Sequence, residues 1–88
     1  MKLVLEYVEE KKAHQHSTNN KKELNKSSIC GCFYCCEIYT PSEIKDYLNE
    51  GEGTALCPYC GVDSVIADTS EYKITKDFLM KMHNYWFK

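Results

Sequence analysis

Apolar positions come in short groups along the chain, and their spacing changes from group to group. Leu3, Leu5 and Tyr7 alternate as in a strand, while Val4 and Val8 also fit a helical repeat; the β-branched and aromatic content favours a strand. Residues 9–28 are polar and lysine-rich and predict a loop or mobile arm. A short helix beginning near Ser17 or Asn19 and ending at Asn25 contains one apolar residue, Leu24, and needs support from outside itself. Thr40-Pro41-Ser42-Glu43 reads as a capping box with proline at the first helical position. Ile44, Tyr47 and Leu48 then share a helical face and Gly51 is a suitable stop, which predicts a helix over 41–50. Thr54-Ala55-Leu56 predicts a short strand. Val62, Val65 and Ile66 predict a returning strand, bent near Asp63-Ser64. Thr75 is placed to cap a last helix over 76–87, with Ile74 stapled onto Leu79. Its stripe of Phe78, Leu79, Met82, Tyr85 and Trp86 is read as core packing in preference to a partner surface.

Length changes the weight of these elements. A chain of 88 residues makes one domain. It buries only about 60–65% of the surface its unfolded form exposes, so small domains of this kind lean on disulfides or a metal. A hydrophobic content of 43% is too high for a wholly disordered chain. No apolar run approaches the roughly 18 residues of a membrane span. Met1-Lys2-Leu3-Val4-Leu5-Glu6 meets acid too soon for a secretion signal. Without an export signal, the six cysteines point to a reducing, cytoplasmic compartment and to metal binding rather than disulfides.

The chemistry lies in Cys32-Phe33-Tyr34-Cys35 and Cys57-Pro58-Tyr59-Cys60-Gly61. Two thiolates spaced Cys-x-x-Cys can sit on one tight turn. Two such turns, here separated by the 21 residues from 36 to 56, complete a tetrahedral sulfur site. Pro58 stiffens the second turn, and Gly61 is expected to permit a close backbone approach that brings amides to the ligand sulfurs. Cys32, Cys35, Cys57 and Cys60 are the chosen ligands. Cys30 is in reserve, and Cys36 is expected to pack as a small apolar residue. His14 and His16 could share a metal on a strand but are read as solvated, and His83 is placed on the polar side of the last helix. Thiolates suit zinc or iron. One structural Zn2+ is preferred over a rubredoxin-like iron site, because nothing else in the chain suggests electron transfer.

Charge narrows the partners. The formal net charge of −2 falls to about −4 when four thiolates hold one divalent ion. Lysines gather in 11–26 and acids in 37–52, and there is no arginine. Arginine is the commonest reader of guanine edges, so sequence-specific DNA recognition is disfavoured, while weak phosphate binding through the lysines stays open.

Cys30-Gly-Cys-Phe-Tyr-Cys35, Thr54-Ala-Leu-Cys-Pro-Tyr-Cys-Gly61, Asp63-Ser-Val-Ile66 and the Phe78-Leu79, Met82-His83 and Trp86-Phe87 ending together resemble a family of small bacterial proteins known as "cytoplasmic protein". The resemblance runs from about His14 to Phe87. It implies a soluble cytoplasmic protein with a zinc-ribbon-like cysteine site, and it brings no activity.

Two enzyme readings fail on position. Cys57-Pro-Tyr-Cys60 is also the glutaredoxin tetrapeptide, but in that fold it lies near the N-terminus and opens a helix. Here only 28 residues follow it, Gly61 continues a helix poorly, and no later proline exists for a cis-proline loop. An HNH-type nuclease would place a histidine between the cysteine turns, whereas His14, His16, Asn19 and Asn20 precede both. Four thiolates also close a metal to water, which a hydrolytic site requires. The expectation is an α+β, zinc-ribbon-like single domain with two knuckles and two amphipathic helices: an N-terminal strand and lysine-rich arm over 1–28, and a zinc-binding part over 29–88. It is not an enzyme. Its partner is expected to be another protein, with nucleic acid the weaker alternative, no membrane and no small-molecule substrate.

Overall fold

The computed structural model describes residues 12–49, 51–70 and 72–87. The strand expected over 3–8 lies outside them. Residues 12–14 are helical and run into a 3-10 turn at Gln15–Ser17, followed by helix α1, Lys21–Lys26. Strands β1 (Cys30–Cys32), β2 (Ile38–Tyr39), β3 (Tyr47–Leu48), β4 (Thr54–Ala55) and β5 (Val65–Ala67) follow, and helix α2, Lys76–Trp86, ends the described chain.

The β1 strand is the centre of an antiparallel sheet of order β2-β1-β5. Cys30 stands opposite Tyr39 and Ala67, Gly31 opposite Ile38 and Ile66, and Cys32 opposite Val65. Side chains alternate across a strand, so this register sorts the core into two layers. Cys30, Cys32, Tyr39, Val65 and Ala67 join Leu24, Ile44, Ala55 and Cys57 on one face. Ile66 joins Ala13, Phe33, Ile74, Leu79 and Met82 on the other. Gly31 points to this second face, under α2. A Cβ there would stand 2.8 Å from Leu79 Cδ1 and 3.1 Å from the Glu37 carbonyl oxygen, so the close helix–sheet approach requires glycine.

The last helix forms as its pattern indicates. The Thr75 hydroxyl accepts from the Phe78 amide at 3.1 Å, and Ile74 and Leu79 share the helix-side core. Within the stripe, Leu79 and Met82 are fully buried, Phe78 and Tyr85 are half-buried, and Trp86 is 38% exposed.

The helix expected over 41–50 does not form, so α2 is the one long amphipathic helix among the described residues. The capping box is present, with the Thr40 amide donating to Glu43 Oε2, but it starts only a 3-10 turn, Pro41–Glu43. Ile44 leaves that turn with extended backbone and is buried in the core layer that holds Cys30, Cys32 and Cys57. Tyr47 and Leu48 then pair with Ala55 and Thr54, and the Leu56 amide donates to the Asp46 carbonyl. A cap marks where a helix can begin. A short run containing Tyr, Asp and Asn has too little propensity to compete with strand pairing across the domain. Gly51, read as a helix stop, lies instead in the β3–β4 turn with φ of 55°.

The stretch read as a polar arm packs into the fold from residue 12 onward. Leu24, the one apolar residue of α1, is buried in the core layer that holds Cys30, Cys32 and Cys57, which supplies the outside support a six-residue helix needs. Asn20 is 1% exposed. Its Nδ2 donates to the carbonyls of Val65 (2.8 Å) and His16 (3.0 Å), and its Oδ1 accepts from the Ala55 amide (3.0 Å). This side chain ties β4 and β5, the strands on either side of the second cysteine turn, to the N-terminal segment.

Candidate metal centre

The two cysteine turns are built alike, hydrogen bond for hydrogen bond. In the first, the Cys32 amide donates to Glu37 O (3.0 Å), the Cys36 amide to Cys32 O (2.7 Å) and the Tyr34 amide to Cys32 Sγ (3.3 Å). In the second, the Cys57 amide donates to Val62 O (3.0 Å), the Gly61 amide to Cys57 O (2.9 Å) and the Tyr59 amide to Cys57 Sγ (3.4 Å). The residue after each second cysteine is left-handed, Cys36 at φ 63° and Gly61 at φ 79°. Glycine therefore meets this φ without the steric cost a side chain would bring. The close backbone approach expected at Gly61 is not present, since a Cβ there would meet nothing within 4 Å. Cys36 occupies the same strained conformation in the first turn, at a cost of about 1–2 kcal/mol. It is half-buried against the helix-side core, in keeping with the packing role expected of it.

The fold brings Cys32, Cys35, Cys57 and Cys60 together, with all four Sγ atoms within 4.8 Å of one another. The close pairs cross between turns: Cys32 to Cys60 and Cys35 to Cys57, each 3.7 Å. A metal with bonds of about 2.3 Å to four sulfurs places them about 3.8 Å apart in a tetrahedron. The six cysteines are all free thiols, so no disulfide competes for this geometry. These four side chains can hold one metal ion.

The cluster can carry four thiolates only with a cation among them. Burial pushes the Cys32 thiol far up, against the opposing amide hydrogen bonds from Cys35 and Tyr34. Burial likewise pushes Cys35 up to about 11. Burial also disfavours a Cys57 thiolate, but the Tyr39 hydroxyl and the amides of Tyr59 and Cys60 outweigh it, and Cys57 is lowered. Four thiolates cannot share so small a buried volume without positive charge among them.

The other candidates lie elsewhere. Cys30 faces the same layer but does not join the cluster; it sits one strand repeat back from Cys32, about 7 Å. Burial, reinforced by Glu43 and Cys57, pushes its thiol up to about 12. His14 packs at a tilt against Trp86 (4.2 Å between centroids) and lies near Phe33 (5.9 Å). His16 Nδ1 pairs with Glu23 Oε2 at 2.8 Å. His83 packs against Tyr34 and Phe87.

Two residues of the site's surroundings escaped the spacing argument. Tyr39, 4% exposed, is on the metal side of β2 and packs on Tyr59, 5.4 Å between ring centroids. Glu43 receives the Tyr59 hydroxyl on Oε1 at 2.5 Å, so the capping box also clamps the second turn. The alternation of Ile38 and Tyr39 was the available signal for the first; the second is a contact between residues 16 apart and left no local trace.

The chain matches no protein-family model, no curated protein and no solved structure. The family resemblance thus rests on its quoted motifs alone, and the case for function on the geometry of the four cysteines.

Proposed function

We propose that this is a non-catalytic binding module of zinc-ribbon type, stabilised by one structural zinc ion held by Cys32, Cys35, Cys57 and Cys60. The observation that carries this reading is the convergence of four sulfurs from two equivalent turns, with cross-turn separations of 3.7 Å. Zinc bound by four thiolates has no open position for water or substrate, so its contribution is to folding and not to chemistry. The site we infer is cytoplasmic, where thiols stay reduced. No helix among the described residues is long and apolar enough to cross a membrane.

A protein is the partner class we favour. Tyr34 and Tyr59 occupy the same position in the two turns and are 44% and 59% exposed, which suits an aromatic contact surface. The lysines that would serve nucleic acid are partly engaged within the chain. Lys22 pairs with Glu52 at 2.6 Å, and Lys21 Nζ sits 5.1 Å from the Tyr47 ring centroid.

Metal analysis of the purified protein, with a count of reactive thiols before and after denaturation, tests the metal reading. The expected result is one zinc per chain, with the four ligand thiols and the buried Cys30 reacting only after unfolding. A metal-free, folded protein whose Cys35 and Cys60 thiols react without denaturation refutes it. Bound iron with visible absorbance would establish a rubredoxin-like centre instead. Binding of single-stranded RNA or DNA that weakens steeply with salt would replace the protein partner with a nucleic acid.

A further inference from the structure

We infer that Tyr39 is a positioning residue of the metal centre, its hydroxyl donating a hydrogen bond to the Cys57 sulfur when that sulfur is a metal-bound thiolate. This rests on the reading of the four cysteines as a metal site. Tyr39 is held at the place required by β-sheet register: it pairs with Cys30, and alternation turns its ring to the metal-side layer beside Cys57. Its hydroxyl is enclosed and makes no regular hydrogen bond among the described residues. Cys57 shares that buried layer, so its sulfur is an acceptor placed within the same enclosed space as the hydroxyl.

A buried hydroxyl without a partner is unfavourable. A neutral thiol relieves this poorly, because its sulfur is a weak acceptor. A thiolate is a strong one, and a hydrogen bond to an ionised partner is roughly twice as strong as a neutral one. The Tyr39 hydroxyl is therefore satisfied by the metal-bound form of Cys57, and binding and burial reinforce each other. The centre is also unsymmetrical. With this bond Cys57 receives the Tyr39 hydroxyl beside the Tyr59 amide, whereas Cys32 receives the Tyr34 amide. Side-chain donors outside the ligand set orient the ligand and tune its charge. The otherwise equivalent turns thus hold the metal through sulfurs of unequal basicity.

Tyr39→Phe keeps the ring and removes the donor. Against a chromophoric chelator, the variant is expected to bind zinc about tenfold more weakly. In the cobalt-substituted protein its sulfur-to-metal charge-transfer band should move to longer wavelength, because the thiolate has lost a stabilising proton. A purely structural role for the ring would leave that band unmoved. Affinity within twofold of the parent and an unchanged band would overturn the inference, while failure of the parent chain to take up metal would overturn the metal reading itself. If the variant does not fold, the parent loaded with cadmium-113 decides the matter by NMR. A slowly exchanging Tyr39 hydroxyl proton coupled to the cadmium is the expected signal; a hydroxyl exchanging as freely as that of tyrosine in water refutes the hydrogen bond.

Discussion

Replacing Asn20 with alanine should unfold this domain more readily than any other single change outside the cysteines and the close-packed core. Its side chain supplies three hydrogen bonds, and two of them, to the Val65 carbonyl and from the Ala55 amide, are fully buried. Asn20→Ala leaves both backbone groups without partners, at about 1–3 kcal/mol each, or roughly 2–6 kcal/mol together. A domain of this size has a total stability of about 5–15 kcal/mol. A loss of about 3 kcal/mol lowers Tm by roughly 12–24 °C. The assay is urea unfolding at saturating metal, followed by circular dichroism, with Tm as an independent measure. Asn20→Asp provides the control. It keeps an acceptor for Ala55 but turns a carboxylate toward the His16 and Val65 carbonyls, so it should be at least as damaging as alanine. A loss below about 1 kcal/mol in Asn20→Ala would show that water or backbone movement satisfies these groups, and that residues 12–20 are not part of the cooperative unit.

Cys35→Ala and Cys57→Ala should abolish tight metal binding and cooperative unfolding, while Cys36→Ala keeps both; a Cys57→Ala protein that retained its metal and its Tm would show that the ligands are wrongly assigned. Gly31→Ala should destabilise by about 1–3 kcal/mol, because its Cβ meets the Glu37 carbonyl and Leu79; denaturant titration matching the parent would refute the close helix–sheet approach. Burial raises the Cys32 thiol and takes Cys35 up to about 11, so these groups carry protons at pH 7. Metal uptake must then release at least two protons per ion, from these two thiols, and affinity must fall as pH falls. Calorimetry in buffers of different ionisation enthalpy measures that number, and a release of fewer than one proton would show that the thiols are already ionised.

Much of the site is legible locally because its geometry is local. Each Cys-x-x-Cys turn closes through bonds that span at most five residues, from Cys32 to Glu37 and from Cys57 to Val62. The cap of α2 is equally local, and Thr75, Ile74 and Leu79 announce it within five positions. The misread segment shows the limit of such signals. Thr40 and Glu43 do form their capping contact, yet the backbone leaves the helix at Ile44 because partners across the domain, Thr54 and Ala55, offer Tyr47 and Leu48 a ladder.

The chain by itself determines which four sulfurs can form two equivalent turns, since turn closure depends on residues a few places apart. Only the tertiary structure decides that a polar N-terminal stretch becomes a buried brace through Asn20, that Tyr39 faces Cys57, and that Cys30 stays out of the cluster. Those outcomes follow from sheet register and long-range burial, where a single-residue shift reverses every side chain and the stabilising partner lies tens of residues away.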